Sequence, residues 1–339
     1  MERSMSLVHL LKRTAGLGDV LMLLPVARAL KCRDHAMIAV STDAKIVQTL
    51  TGPAIPDVDF FIDAARQDDF IATQENAGHQ VMTHDMNHPR HSLQRSHQID
   101  SFLASFGLDP AVCDKEIRLP QHQAAFDMVD FYLDEAPSPS EMRGRVLLHP
   151  ASGALNRTWP QKNWQELADR LAAAHVQVFT IGNRSTATGK GAFPLRLDQR
   201  LDVVDKFGFW ETIELMKLAD CVISTDSAPI QMAAATGIAI VGIYSITKGE
   251  WRLPFRSQGR SLAIEPGCRF FPCYPLMYDE EHFHKACAHF DAQGIPQQNM
   301  LYEWCCDAYS YDCLKSAITV DEVFDAAMST LPLQPLSSP

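Results

Sequence analysis

The stretch STDSAPIQMAAATGIAIVGIY (224–244) decides the fold. It begins inside the apolar run CVIST (221–225) and ends with a second apolar run, IAIVGIY (238–244). Both runs are too short for a buried helix and rich in β-branched residues, so they predict two buried strands. The residues between them leave room for one short helix. The stretch therefore predicts a tight β-α-β unit.

The connecting helix has recognisable ends in the sequence. Pro229 suits the first helical position, and Asp226 or Ser227 can cap the backbone N–H groups that the first turn leaves unpaired. Gly237 can end the helix in a left-handed turn. Small residues at the N-terminus would let a phosphate approach those N–H groups and the positive end of the helix dipole. An ordinary crossover helix capped by Asp-Ser gives the same pattern.

Composition limits the classes of function. A chain of 339 residues suits two domains of ordinary size. Its net charge of −11 argues against nucleic acid as a partner and favours at most peripheral association with a membrane. We find neither an apolar run long enough to span a bilayer nor a cleavable signal, which predicts a cytoplasmic protein. Nine cysteines without a secretion signal are typical of reduced thiols.

A glycine-bearing turn, in which Gly16 and Gly18 precede Asp19, separates a predicted strand (7–13) from a predicted helix (20–32). The turn matches neither the phosphate loop GxxxxGK[ST] nor the dinucleotide fingerprint GxGxxG. It places a carboxylate at a helix N-terminus, beside backbone that a ligand can approach closely. A carboxylate held there stays ionised, as a general base requires. A simple capping role for Asp19 fits the same pattern.

Two other segments of the first half invite a metal interpretation, which we do not favour. The segment 57–64 (DVDFFIDA) contains an Asp-x-Asp pattern, but its aspartates are as expected at the end of a strand. The segment 78–97 is rich in histidine, at spacings irregular for metal ligands. We predict a solvated loop and helix on the acceptor side there, and no metal site.

The composition of the chain changes near its middle. The segment PSPSEMRGR (137–145) has Pro, Ser and Gly without an apolar period and is predicted to be a linker. It divides a first domain (1–136) from a second domain (146–331), which is followed by a tail (332–339). Strand-loop-helix repeats on both sides predict an α/β protein of two doubly wound Rossmann-like domains that face a central cleft.

The loop ASGALNRTWP (151–160) lies between a predicted strand and an amphipathic helix (161–175). Ser152 and Gly153 offer a hydroxyl and bare backbone. Arg157 carries the guanidinium fork that matches phosphate oxygens. An ordinary surface arginine is the alternative for that residue.

Three motifs, taken together and in order, make the chain similar to a known protein family. They are AGLGDVLMLLPVARALK (15–31), HPASGALNRTWPQKNWQELADRL (149–171) and TDSAPIQMAAATGIAIVGIY (225–244). In this order they resemble the heptosyltransferase family, glycosyltransferase family nine, whose architecture is GT-B. The resemblance implies inverting, metal-independent transfer of a sugar from a nucleotide donor, typically ADP-heptose, to a hydroxyl of a glycan or glycolipid acceptor, as in lipopolysaccharide biosynthesis. It implies no further cofactor.

The resemblance also implies roles for individual residues. Asp19 takes the position of the general base, in an acceptor-side loop with Gly16 and Gly18. Arg157 stands where the family usually has a lysine that neutralises the diphosphate. The implied donor-binding residues are Ser152, Gly153, Arg157, Thr225, Asp226, Ser227, Ala228 and Gln231.

Two positions depart from the family pattern. Ala228 replaces a usual glycine, and Gln231 replaces a usual histidine and cannot carry its positive charge. The basic loop ITKGEWRLPFR (246–256) can supply some of that charge, although a solvated turn is equally compatible with its sequence. These departures keep a second hypothesis open, a catalytically inactive member that binds a nucleotide sugar or a glycan. A nicotinamide dehydrogenase is disfavoured because neither domain has the GxGxxG fingerprint.

The C-terminal part of the second domain is rich in cysteine. The residues are Cys268, Cys273, Cys287, Cys305, Cys306 and Cys313. Only the first two have a spacing that a structural zinc site permits. We therefore predict buried thiols in a loop-rich region rather than a zinc site or a redox bridge.

Overall fold

The computed structural model describes residues 6–14, 16–87, 95–139, 141–184, 194–198, 201–275, 279–294 and 311–332. The chain forms two compact units. Unit 1 consists of Met1–Phe126 with the short segment Pro254–Ser257, and unit 2 consists of Asp127–Leu253 with Gln258–Pro339. Within the described residues, no helix is both long and apolar enough to cross a membrane.

Unit 1 is built on one parallel sheet. Its strands are β1 (Leu7–Lys12), β2 (Met37–Thr42), β3 (Phe60–Asp63) and β4 (Gln80–Asp85), in the order β3-β2-β1-β4. Its helices are α1 (Leu17–Leu21), α2 (Leu24–Asp34), α3 (Ala44–Thr49), α4 (Gln67–Asn76) and α5 (Gln98–Ser105). All the strand pairs are parallel, so the carboxyl ends of β1, β2 and β4 lie at one edge. Loops that follow these strands can therefore build a common site.

Unit 2 repeats this plan with five parallel strands. They are β5 (Gly144–His149), β6 (Val176–Thr180), β7 (Cys221–Thr225), β8 (Ala239–Ile243) and β9 (Ser261–Ile264), in the order β6-β5-β7-β8-β9. The helices, after α6 (Gln123–Glu135), which crosses from unit 1, are α7 (Gln161–Ala173), α8 (Phe209–Lys217), α9 (Ala228–Ala233), α10 (Glu280–Ala292), α11 (Asp312–Lys315) and α12 (Val320–Met328). The predicted α/β class with parallel sheets is confirmed in both units.

The core of unit 2 lies between its sheet and the helices α7 and α12. Trp159 and Trp164 are fully buried, with ring centroids 5.1 Å apart in an edge-to-face arrangement. The indole nitrogen of Trp159 donates a hydrogen bond to the carbonyl of Ile318, 3.2 Å away. Cys221, the first residue of β7, is fully buried in the same core. The Trp-Pro motif is thus an anchor that joins the loop before α7 to the C-terminal part of the unit.

Several local predictions were wrong. The predicted helix 20–32 is two helices, α1 and α2, because Pro25 in the first turn of α2 has no N–H with which to continue the ladder. The predicted loop 78–97 contains β4. That strand lies at the sheet edge, where its residues are half-buried or exposed, so its sequence lacks an apolar alternation.

The helix at the centre of the opening stretch also differs in detail. Ser227 occupies the N-cap position of α9, but its side chain makes no capping hydrogen bond. The helix ends at Ala234 in a right-handed conformation, and Gly237 is not among the residues with positive φ. The expected left-handed glycine turn is therefore wrong, because the chain leaves α9 through a right-handed turn.

The two units divide at a different place from the predicted domains. The division falls between Phe126 and Asp127, inside α6, and the segment 254–257 returns to unit 1. The aromatic ring of Tyr132 in α6 packs edge-on against Phe207 of unit 2, at 5.1 Å between centroids. This contact explains why the later part of α6 belongs to unit 2. The strand β5 begins at Gly144, so it starts within the predicted linker.

Candidate functional site

In unit 1, the loops after β1, β2 and β4 are joined by hydrogen bonds at the carboxyl edge of the sheet. The backbone N–H of Arg13 donates to the carbonyl of Ser41, at 2.8 Å, and its Nη1 donates to the carbonyl of Met86, at 2.7 Å. The backbone N–H of Thr14 donates to Oδ1 of Asn87, at 2.9 Å. These bonds fix the start of the glycine-bearing turn.

Asp19 lies in the first turn of α1, and its Oδ1 is 3.0 Å from Nη2 of Arg13. Arg13 is buried, whereas the Asp19 side chain keeps about a quarter of its surface exposed. The N-cap position of α1 belongs to Gly16. Asp19 is therefore the partly exposed partner of a buried arginine, and it lies in the first turn of the helix rather than at the N-cap position.

The glycines of this turn differ in what surrounds them. Gly16 has extended backbone, with φ −61° and ψ 159°, and a Cβ placed on it would meet no atom within 4 Å. Gly18 lies in the first turn of α1. Packing within the protein does not require a glycine at position 16, so open space lies beside the turn.

In unit 2, His149 at the end of β5 meets two serines. Its Nδ1 lies 3.2 Å from Oγ of Ser224 and 3.3 Å from Oγ of Ser227, and the two hydroxyls are 2.9 Å apart. Burial lowers the pKa of His149 to about 4. The imidazole is therefore neutral near pH 7, and this cluster offers hydrogen-bonding groups without charge.

Arg157 joins the loop after β5 to the loop after β7. Its Nη1 donates to the backbone carbonyl of Asp226, at 2.7 Å, and lies 4.0 Å from Oδ2 of the same residue. The hydroxyl of Thr247, in the loop after β8, donates to Oδ2 of Asp226, at 3.3 Å. Three adjacent strands thus bring their loops together around Asp226.

The small-residue loop after β5 is held by its own side chains. The hydroxyl of Ser152 accepts from the N–H of Ala154, at 3.2 Å, and donates to the carbonyl of that residue, at 3.1 Å. Gly153 lies within this turn. The hydroxyl of Ser245, after β8, donates to the carbonyl of Asn156, at 2.6 Å. The loop therefore has a fixed course from β5 to Arg157.

Gln231 and Tyr244 bury polar atoms beside this edge. Nε2 of Gln231 donates to the carbonyl of Arg252, at 2.7 Å, and its Oε1 is buried without a hydrogen-bond partner among the described residues. The hydroxyl of Tyr244 is likewise buried without a hydrogen-bond partner among the described residues. Burial, and after it the charge of Asp226, raises the pKa of Tyr244. Gln231 thus supports the loop that follows β8, and Ala228 begins α9 without adding a polar group.

The predicted site residues fall into two groups, one in each unit. In unit 1 the turn brings Gly16, Gly18 and Asp19 together. In unit 2 the strand ends gather the predicted donor-binding residues, which are Ser152, Gly153, Arg157, Thr225, Asp226, Ser227 and Ala228, with Gln231 in the following helix.

Sequence reasoning missed Arg13, His149, Ser224 and Thr247. For His149 the signal was its position at the carboxyl end of a buried strand, directly before Pro150. For Thr247 the signal was a hydroxyl in the basic loop that follows β8.

The model of glycosyltransferase family 9 (heptosyltransferase) matches residues 72–264, more than half of the chain. The chain belongs to this family. It is a glycosyltransferase, and the matched range contains every predicted donor-binding residue of unit 2. Asp19 lies before the matched range. A comparison with curated proteins found no relative.

Solved structures of several family 9 glycosyltransferases share the fold. A family 9 glycosyltransferase from Veillonella parvula is 15% identical, with 97% of this chain and 98% of that one covered and a TM-score of 0.66. The iron-containing dodecameric glycosyltransferase TibC of enterotoxigenic E. coli is 16% identical, with 95% and 78% covered and a TM-score of 0.61. E. coli ADP-heptose lipopolysaccharide heptosyltransferase II is 15% identical, with 77% and 90% covered and a TM-score of 0.50. At these identities the likeness shows the GT-B-type fold.

The cysteine-rich region is only partly described. Cys268, Cys273, Cys287 and Cys313 form no disulfide with any described cysteine, and Cys305 and Cys306 lie outside the described residues. No group of three His, Cys, Asp or Glu side chains suited to a metal ion occurs among the residues that the structure describes. The predictions of no metal and no cofactor stay predictions.

The histidine-rich segment is in part a buried network. His84 on β4 lies 3.0 Å from His9 of β1, ring nitrogen to ring nitrogen, and His9 lies 2.8 Å from Oδ2 of Asp34. The hydrogen bond from Arg33 is the main cause that lowers the pKa of Asp34, to about 2. His88 and His91 lie outside the described residues. His84 therefore supports the first sheet, and His97 caps α5 by accepting a hydrogen bond from the N–H of Ile99, so neither belongs to a solvated loop.

Proposed function

We propose that this family 9 member transfers a sugar, with inversion and without a metal ion, from an ADP-heptose-like donor to a hydroxyl of a glycan or glycolipid. The observation that carries the proposal is the family match over the strand ends of unit 2, where Arg157 joins the loops after β5 and β7 through Asp226. Within the proposal, residues 1–136 hold the acceptor and residues 146–331 hold the donor.

The donor side needs a place for two phosphates. Arg157 contacts a backbone carbonyl, with which a phosphate oxygen can compete because charge-assisted hydrogen bonds are stronger than neutral ones. Ser152, Thr225 and Ser227 add hydroxyl groups along the same edge. Neutral His149 orients the two serine hydroxyls without adding charge. This arrangement supports a diphosphate that gains negative charge as it leaves.

The acceptor side needs a base. In the proposed reaction the oxygen of the acceptor hydroxyl attacks the anomeric carbon and gives its proton to the carboxylate of Asp19. The bond between the anomeric carbon and the phosphate oxygen breaks, and its electron pair leaves with the nucleotide diphosphate. Attack from the face opposite the leaving group inverts the anomeric centre. The open space beside Gly16 supports the approach of an acceptor to this turn.

The substrates are proposed from the relatives. TibC has been solved in complex with ADP-D-β-D-heptose, and another structure of this fold is the E. coli ADP-heptose lipopolysaccharide heptosyltransferase II. We therefore propose ADP-heptose as the first donor to test and a heptose-deficient lipopolysaccharide as the first acceptor. Nucleic acid is not among the proposed partners.

A thermal-shift screen with ADP-, GDP-, UDP- and dTDP-sugars tests the donor class, because a ligand that binds the folded state raises Tm by mass action. Release of ADP from ADP-heptose in the presence of the acceptor then tests transfer, with Asp19→Asn as the comparison variant. We expect binding of ADP-heptose and turnover that Asp19→Asn abolishes. Binding without turnover on any acceptor would favour the inactive, binding member instead.

A further inference from the structure

We infer that Arg13 is a positioning residue for the reaction, one that fixes the carboxylate of Asp19 in the geometry of a general base. The inference rests on the proposed function and deepens it. Nothing in the sequence motif points to Arg13, because its partners are Met86 and Ser41, which lie far along the chain.

Arg13 is anchored from three sides that do not belong to α1. Its backbone N–H is bound to the end of β2, and its Nη1 is bound to the residue after β4. Its guanidinium carbon lies 5.7 Å from the centroid of the Phe102 ring, on α5. The orientation of the guanidinium is therefore set by the sheet and α5. Its Nη2 then meets Oδ1 of Asp19 at 3.0 Å.

The guanidinium is suited to this task because it is planar and permanently charged. One fork of donors serves Met86 and Asp19 at once, so a rotation that strains one bond strains the other. A buried cation also requires a nearby anion, which holds Asp19 to one arrangement of its side chain. The helix that carries Asp19 is five residues long and is anchored by the buried residues Val20 and Leu21, whereas the carboxylate itself projects from the helix toward Arg13. Arg13 thus transmits the rigidity of the sheet to the carboxylate.

Arg28 provides a matched control in the same unit. It is buried to nearly the same degree as Arg13. Its Nε is 2.9 Å from Oδ2 of Asp57, and its Nη1 is 3.1 Å from Oδ2 of Asp114. Arg28→Gln therefore removes a buried arginine ion pair of similar type that has no part in the proposed reaction.

The test is a double-mutant cycle with Arg13→Gln, Asp19→Asn and the double variant, beside Arg28→Gln. ADP release from ADP-heptose with heptose-deficient lipopolysaccharide gives kcat and KM, calorimetry gives the Kd for ADP, and a thermal scan gives Tm. We expect Arg13→Gln to lower kcat about 10- to 100-fold, because small displacements of a reacting group have effects of that size. The Kd for ADP stays unchanged, since Arg13 belongs to unit 1 and the proposed donor residues belong to unit 2.

The decisive result is the double variant. A residue that acts only through Asp19 loses its effect on kcat once Asp19 is replaced, so the double variant should be no slower than Asp19→Asn alone. Its Tm should fall below that of Asp19→Asn, which shows that the substitution still perturbs the fold. Arg28→Gln should lower Tm and leave kcat within about threefold of the wild type. If Arg13→Gln does not fold, Arg13→Lys replaces it, because lysine keeps the charge but lacks the fork, and the same loss of additivity is expected.

Other outcomes separate the two proposals. If Asp19→Asn is inactive but Arg13→Gln keeps the wild-type kcat, or if the two effects on kcat are additive, Arg13 is not a positioning residue and the proposed function stands. If the wild type turns over no donor, or if Asp19→Asn keeps full activity, the proposed function fails and this inference fails with it.

Discussion

The carboxyl edges of the two sheets follow one plan, and each carries an arginine near an aspartate, but the pairs differ in how tightly they are held. In unit 1 a buried arginine forms an ion pair with a carboxylate on a short helix. In unit 2 the buried His149 is neutral, and Arg157 donates to the backbone carbonyl of Asp226 and lies 4.0 Å from its carboxylate. A carboxylate fixed by a close ion pair suits a group that must take a proton, whereas an arginine at an edge with several uncharged hydroxyls suits a ligand with several oxygens. Under the proposed function, the same loop positions would serve different chemistry in the two units.

Asp19→Asn should have the largest effect, because it removes the carboxylate of the ion pair in unit 1. We expect kcat for ADP release to fall about 10²- to 10⁴-fold, the usual contribution of a positioned general base. Tm should also fall, because the amide oxygen can still accept a hydrogen bond from Arg13 but the buried guanidinium loses its countercharge. Asp68→Asn, a change of an exposed aspartate in α4, is the control and should leave both values unchanged. Turnover by Asp19→Asn at the wild-type rate would contradict the role of Asp19.

Arg157→Gln tests the cation of unit 2. Loss of a charge-assisted hydrogen bond costs about 1.5–3 kcal/mol, so the Kd for ADP should rise roughly 10- to 150-fold in calorimetry. Arg157→Lys should recover part of the affinity, since lysine also neutralises phosphate although without the fork. Arg184→Gln, which removes surface contacts to Asp202 and Asp205 in the same unit, is the control. An unchanged Kd in Arg157→Gln would remove this residue from the donor site.

The neutrality of His149 predicts a pH dependence of stability. Its pKa is about 4 in the folded unit, against an unfolded value near 6.5, so the unfolded chain binds the proton more readily. The contribution of the neutral His149 imidazole to the free energy of unfolding is fully present above pH 6.5 and is lost as the pH falls toward 4. At pH 5.5 the free energy of unfolding is lower by about 1.4 kcal/mol than above pH 6.5. Denaturant melts at several pH values should show this slope, and His149→Asn should flatten it. A slope that His149→Asn leaves unchanged would assign the effect to other groups.

Gly16→Ala gives the smallest expected effect and separates packing from ligand approach. Its backbone suits any residue and open space surrounds it, so the substitution should stabilise the protein by about 0.4–1 kcal/mol. If the acceptor approaches this turn, KM for the acceptor should rise while the Kd for ADP stays constant. A wild-type KM would show that the acceptor lies elsewhere.

The sequence alone predicted those parts of the fold and of the candidate site that depend on a local pattern of residues. Buried strands such as β5, β7 and β8 have continuous apolar runs, and the loops after them carried most of the residues now found at the edge of unit 2. Family resemblance, rather than spacing, directed attention to Asp19 and Arg157. Their roles in catalysis and binding stay predictions.

The parts that were missed depend on contacts distant in sequence. No local pattern shows that β4 lies beside β1, because an edge strand such as QVMTHD needs no apolar alternation. Without that pairing, neither the bond from Arg13 to Met86 nor the bond between His9 and His84 can be inferred. The neutrality of His149 likewise depends on burial by residues that the motif does not contain.

The position of Cys221 has a practical consequence. Its sulfur lies in the middle of the second sheet, between β5 and β8, and burial raises the pKa of the thiol to about 12. Cys32, in α2, is exposed. A maleimide dye will therefore modify Cys32 in the native protein within its normal reaction time, but will reach Cys221 only when the second sheet opens. In a background in which every cysteine except Cys221 is replaced by serine, the rate of dye incorporation would time the opening of unit 2.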